Sequence, residues 1–153
     1  MALWEAAPGG GPPAARIRLR FRADPLFLDD VFFFPPMFDL TLFSAESNPH
    51  QFRHGEQIFA EGDPGDYMYA ILEGEVDITR GGRSIAIIGK GGVFGEMSLI
   101  DQKPRSATAT ARTDLRAVGI DRKRFLDLVH TKPFFAVQMM QILSERVRHN
   151  LET

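Results

Sequence analysis

Short β-rich segments separated by turn residues recur along most of this chain, and this recurrence constrains its fold more than any other feature. The turns are rich in glycine, as in residues 62–66 (GDPGD) and 89–92 (GKGG), and glycine adopts the backbone angles that tight turns require. Strands are predicted over residues 57–59, 67–72, 75–80, 84–88, 108–111 and 115–120. Short strands at this spacing favour a sandwich or a barrel.

Two helices are predicted after the last of these strands. Asp121 is a suitable N-cap for a helix that runs to about His130, and Pro133 can open a second helix. In the second helix, apolar residues recur at steps of three and four, which indicates one apolar face made of Ala136, Met140, Leu143, Val147 and Leu151. This helix is expected to pack on the strands, or on a second subunit, along a seam that contains Phe134, Phe135, Met139, Met140 and Ile142.

The chain divides into two parts of different character. A length of 153 residues suits one domain, at roughly 100 to 200 residues per domain. Residues 8–13 (PGGGPP) cannot hold a helix, so residues 1–36 are expected to form a flexible or poorly ordered extension. Within it, residues 16–22 (RIRLRFR) alternate charged and apolar side chains, which fits a strand or a short basic arm. Residues 37–153 are expected to form the folded domain.

Composition excludes several kinds of site. The chain has no cysteine, which rules out disulfides, thiolate-held iron–sulfur clusters and cysteine-ligated zinc. No metal is predicted, because the four histidines lack the spacing of metal ligands: His50, His54, His130 and His149. A formal charge of −2 gives no general attraction to nucleic acid or acidic membranes. Without a long apolar run or the pattern of a secretory signal, a soluble, cytoplasmic protein is expected.

Two neighbouring motifs contain the residues that are best suited to bind a ligand. Residues 93–99 read VFGEMSL, and residues 104–108 read PRSAT. Gly95 lets the backbone come close to a ligand, and Glu96 can accept hydrogen bonds from a vicinal diol. Arg105 offers a planar fork of donors that suits one phosphate. Together these residues indicate a clamp for a small anionic sugar ligand.

The run GEMSL, a spacer and the run PRSAT resemble the phosphate-binding cassette of the cyclic nucleotide-binding domain family. That family includes bacterial catabolite activator proteins and the regulatory subunits of cyclic-AMP-dependent protein kinase. Residues 59–66 (FAEGDPGD), 67–71 (YMYAI) and 73–78 (EGEVDI) resemble the turn and strands that precede the cassette. The resemblance implies a mainly β fold: an eight-stranded β-roll of the jelly-roll type, with an inserted cassette helix that starts near Gly95 and with C-terminal helices.

The resemblance also implies a role for each cassette residue. Glu96 is expected to bind the ribose 2′-hydroxyl, and Arg105 is expected to pair with the cyclic phosphate. The rest of the ligand site is expected to come from Gly95, the amides of Met97 and Ser98, Ser106 and Ala107. The alternative is a structural ion pair between Glu96 and Arg105 without a ligand, since buried arginines often have carboxylate partners.

The base of the nucleotide is less well specified. Ser106 is compatible with cyclic AMP and with cyclic GMP, and the resemblance favours cyclic AMP. The family's base contact from the terminal helix corresponds to Asn150, with Arg146 one turn earlier. A polar residue near a chain end can equally be solvated, so both readings of Asn150 remain open.

These features together predict a stand-alone cyclic-nucleotide receptor that has no cofactor and is not an enzyme. Ligand binding is expected to order the cassette and draw the terminal helices over the nucleotide, which exposes a helix face to a partner protein or a second copy. No direct DNA binding is expected, since transcription factors of the family continue from the terminal helix into a helix-turn-helix domain. The alternatives are a ligand-free interaction module on the same β-roll and a metal-dependent enzyme on a similar roll, which would need clustered histidines.

Overall fold

The computed structural model describes residues 32–34, 39–43, 45 and 48–152, with side chains described for residues 39–43, 45 and 48–149. The glycine-proline run at residues 8–13 and the predicted strand or arm at residues 16–22 lie outside this part of the chain. The division of the chain between residues 36 and 37 stays a prediction.

In the described residues the chain forms nine strands, one 3-10 helix and three α-helices. The strands are β1 (Phe32–Phe34), β2 (His50–Phe52), β3 (Gln57–Phe59), β4 (Tyr67–Glu73), β5 (Val76–Arg80), β6 (Arg83–Ile88), β7 (Val93–Phe94), β8 (Thr108–Ala111) and β9 (Leu115–Asp121). The 3-10 helix spans Leu40–Phe43, and the α-helices are α1 (Glu96–Asp101), α2 (Arg122–Thr131) and α3 (Pro133–Glu152).

The strands form two sheets, ordered β1-β6-β5-β8-β3 and β2-β9-β4-β7. The neighbours among β2 to β9 all pair in the antiparallel direction, which gives the predicted eight-stranded roll of two four-stranded sheets. Strand β1 is an addition to it. It pairs in parallel with the edge strand β6, with Phe32 opposite Ala86.

The second sheet, β2-β9-β4-β7, has apolar residues on both faces. Side chains of a strand point alternately to opposite faces, so β4 places Tyr69 and Ile71 between the two sheets and Met68 and Ala70 on the other side. That other side is covered by helices, whose buried side chains include Phe135 of α3. The helices are thereby held directly against the strands that lead into the cassette.

Helix α2 begins as predicted. The Asp121 carboxylate accepts a hydrogen bond from the Arg124 amide at 2.8 Å, and α3 starts at Pro133. An aspartate in this position satisfies one of the backbone donors that a helix leaves free at its start. None of the helices described here is long and apolar enough to cross a bilayer.

Helix α3 buries a different face from the predicted stripe. Phe135, Met139 and Ile142 are buried against the roll, whereas Met140 and Val147 are 65% and 57% exposed. The seam prediction is therefore confirmed for these three residues against the roll. Phe134 and Met140 are exposed, and their contact with a second subunit stays a prediction. Both rows follow steps of four and three along the helix, so periodicity cannot choose between them.

Candidate ligand site

The cassette, residues 93–108, runs from β7 through α1 to the start of β8. Helix α1 begins at Glu96, directly after Gly95, as the resemblance implied. Gly95 has a φ of 78°, and a Cβ added there would lie 2.7 Å from Nη1 of Arg105. Both the backbone angle and the lack of space require glycine at this position.

Arg105 is the polar centre of the site, with only 6% of the residue exposed. Its Nη1 donates to the Gly95 carbonyl at 2.7 Å, and its Nη2 donates to the Tyr67 carbonyl at 2.6 Å. Its Cζ lies 3.9 Å from the centroid of the Phe59 ring. Its Nε is buried and has no hydrogen-bond partner among the described residues. The guanidinium therefore has at least one N–H donor that no described residue uses.

Arg105 forms no ion pair with any side chain that the structure describes. No carboxylate in the described residues lies within ion-pair distance of it. Burial lowers the pKa of Arg105, while Tyr69, Asp66 and Asp63 act in the opposite direction. Arginine nonetheless remains protonated at neutral pH, so the site contains a buried cation whose charge Asp66 and Asp63 offset only from beyond ion-pair distance.

Glu96 is more deeply buried, at 2% exposed, and its partner comes from α3. Nη1 of Arg146 donates to Oε1 of Glu96, and Nη2 of Arg146 donates to the Val93 carbonyl. Burial lowers the pKa of Arg146 to about 10, which leaves it charged at neutral pH. The ion pair between Glu96 and Arg105 that was left open as an alternative does not form, because each of these residues has other partners.

The other predicted residues surround these two. Ser98 and Ala107 are buried, whereas Met97 and Ser106 are exposed. The Ser106 carbonyl accepts a hydrogen bond from Nε of Arg80 at 3.0 Å. Arg146 reaches the site through Glu96, and the side chain of Asn150 lies outside the described residues. The ligand-binding roles of all these residues remain predictions.

Three residues outside the cassette belong to the site and were not predicted from the sequence as site residues: Phe59, Gly65 and Tyr67. A Cβ on Gly65 would lie 2.3 Å from Cβ of Ser98 and 2.9 Å from Cζ of Arg105. The three residues lie in or next to the FAEGDPGD motif, which had indicated only the fold. No local sequence signal connects this motif with the cassette, because β4 meets the cassette strand β7 only by pairing in the folded sheet.

A cavity of about 560 Å³ lies beside α1 and the start of α2, and Gly65 and Ser98 are among its lining residues. Neither Glu96 nor Arg105 lines it. No group of three or more His, Asp or Glu in the described residues could hold a metal ion.

The sequence model of the cyclic nucleotide-binding domain matches residues 49–132, from β2 to the end of α2. The chain belongs to the cyclic nucleotide-binding domain family. It is 36% identical over 110 residues to the CRP-like cAMP-activated global transcriptional regulator of Mycobacterium tuberculosis, an alignment that covers 69% of this chain and 49% of the regulator. The chain thus spans about half the length of that relative.

Two further comparisons agree with this membership. The cAMP-dependent protein kinase regulatory subunit of Debaryomyces hansenii is 36% identical over 86 residues, which cover 55% of this chain and 19% of that protein. The crystal structure of the catabolite activator protein of Thermus thermophilus superposes with a TM-score of 0.67 and 32% identity. That superposition covers 77% of this chain and 61% of the Thermus chain.

Proposed function

We propose that this chain is a receptor for a cyclic nucleotide, with cyclic AMP favoured over cyclic GMP. The observation that carries the proposal is Arg105, a buried guanidinium with an unused Nε donor and no carboxylate partner among the described residues. A cyclic phosphodiester has one negative charge, which would neutralise one guanidinium through charge-assisted hydrogen bonds. Family membership supports the ligand class, and the name of the Mycobacterium tuberculosis relative supports cyclic AMP.

Glu96 would bind the ribose in this proposal, and it connects the ligand with α3. A carboxylate accepts several hydrogen bonds, so the ribose 2′-hydroxyl would share Glu96 with Arg146 or displace it. Either event changes what holds α3 against the cassette. A ligand that binds one position of α3 better than another shifts the population toward it.

Helix α3 would transmit the signal through a second row of apolar side chains, which is partly exposed to solvent. Ala136, Met140, Leu143 and Val147 are spaced by four, three and four residues, which is the spacing of a coiled-coil seam. Met140 and Val147 are exposed, and this fits a partner protein or a second copy of the chain. Sedimentation with and without cyclic AMP tests self-association. A monomer that does not change would leave only the version with a partner protein.

Calorimetry of one arginine variant tests the ligand site. Arg105→Gln removes the charge but keeps an N–H donor near the carbonyls of Gly95 and Tyr67, which Arg105→Ala would leave without a donor. The affinity for cyclic AMP should fall at least tenfold, because hydrogen bonds to charged groups contribute about 1.5–3 kcal/mol. Arg116→Gln makes the same charge change at an exposed position and should have no effect. An undiminished affinity in Arg105→Gln would overturn the proposed site.

The second candidate is an interaction module that uses the β-roll without a ligand. The ion pair between Glu96 and Arg146 favours it, because this pair satisfies the Glu96 carboxylate within the protein. Titration of the wild-type chain with cyclic AMP, cyclic GMP and 5′-AMP separates the two functions. Neither heat nor a rise in thermal midpoint with any of these nucleotides would favour the module.

A further inference from the structure

Phe59 lies at the end of β3, outside the cassette, and the guanidinium of Arg105 packs against the face of its ring. We propose that Phe59 is a positioning residue for Arg105, which sets the plane of the guanidinium and leaves its Nε donor available for a phosphate. The inference builds on the proposed function of Arg105 as the phosphate ligand. Nothing in the cassette motif itself assigns a role to this ring.

The hydrogen bonds of Arg105 do not fix its guanidinium plane by themselves. The bonds from Nη1 to Gly95 and from Nη2 to Tyr67 hold two points of the group. A planar group held at two points can still tilt about the line that joins them. The Phe59 ring, 3.9 Å from Cζ, supplies the third restraint and offers its negative face to the cation. This distance is well inside the limit of about 6 Å for a cation–π contact.

Phe59 is itself held firmly enough to act as a support. Its ring packs on that of Phe94, with centroids 6.0 Å apart, and Phe94 stacks on Tyr69 at 5.1 Å. Strand β3 pairs with β8, where Phe59 lies opposite Ala109, and β8 directly follows the cassette. Two backbone hydrogen bonds of 2.8 Å also join the segments that carry the ring and the arginine: the Gly62 amide donates to the Arg105 carbonyl, and the Arg105 amide donates to the Asp63 carbonyl.

Fluorination of the Phe59 ring distinguishes a cation–π contact with Arg105 from simple core packing, because the two predict different results. Fluorine hardly changes the size of the ring but weakens its negative face. Site-specific replacement of Phe59 by mono-, di- and trifluorophenylalanine should lower the affinity for cyclic AMP stepwise, by about tenfold for the trifluoro ring. The thermal midpoint should change little. Phe125, whose ring packs on Phe135 between α2 and α3, is the matched control, and its fluorination should leave the affinity unchanged.

A measurement without ligand separates the failure of this inference from the failure of the proposed function. In nitrogen-15 NMR of the ligand-free protein, the Arg105 Nε–H signal should be sharp and slow to exchange with water. In Phe59→Leu it should broaden and exchange faster. An unchanged signal in Phe59→Leu, or equal affinity across the fluorinated series, overturns the positioning role. A wild-type chain that binds no cyclic nucleotide rejects the receptor, and the NMR comparison then still decides whether Phe59 orients Arg105.

Discussion

Replacing Arg146 with methionine should destabilise the domain strongly. The change leaves Glu96 buried without a cation and leaves the Val93 carbonyl without its donor. Removing one member of a buried ion pair costs about 3–5 kcal/mol. The Arg146 side chain is 17% exposed, so solvent screens its half of the pair and the lower end of that range applies, about 3 kcal/mol. At roughly 3 °C per kcal/mol for a domain of this size, the thermal midpoint should fall by about 10 °C.

Thermal unfolding followed by circular dichroism measures this effect. Arg148→Met removes the same charge from an exposed position on α3, and it should change stability by no more than about 0.5 kcal/mol. The double variant Glu96→Gln with Arg146→Met should recover part of the loss, because it also removes the unpaired buried charge. A fall no larger than that of Arg148→Met would show that Arg146 does not hold Glu96.

Two further substitutions test particular contacts. Gly95→Ala should lower the free energy of unfolding by about 2 kcal/mol or more, because it combines a positive φ with a Cβ against Arg105. Gly62→Ala is the control: its φ is similar but its Cβ would meet open space, so the loss should be about 1 kcal/mol. Equal losses of stability in chemical denaturation would refute the clash at Gly95. The buried Oε1 of Gln138 has no hydrogen-bond partner in the described residues, and burying it costs roughly 1 kcal/mol of stability. Gln138→Met removes this cost and should raise the thermal midpoint by about 3 °C. The same change at exposed Gln141 should have no effect, and a lower midpoint for Gln138→Met would show that its Oε1 is bonded.

Much of the roll could be predicted because its signals are local. Strands β3 to β6, β8 and β9 lie within one or two residues of the predicted ranges, since glycine-rich turns bound most of them. Strand β7 was missed. It has only two residues, Val93 and Phe94, and it is recognised as a strand only by its pairing with β4. Strand β2, which pairs with β9, was missed for the same reason.

The cassette was found from the sequence, but the partners of its charged residues were not. Glu96 and Arg146 are 50 positions apart, and the Phe59 ring that supports Arg105 lies 46 positions before it. Neither contact has a local signal, because each depends on how α3 and β3 fold back onto the cassette. The residues of the cassette can therefore be predicted from the sequence, whereas the contacts that Glu96 and Arg105 make outside the cassette cannot.

The two rows on α3 differ by one position along the helix, which corresponds to a rotation of about 100°. Such a rotation would exchange Phe135, Met139 and Ile142 for Ala136, Met140 and Leu143, and its main hydrophobic cost would be the loss of the Phe135 ring from the core. The buried row continues with Arg146, whereas the other row continues with Val147. The Phe135 ring and the ion pair between Arg146 and Glu96 therefore act together to decide which side of a long helix the domain displays.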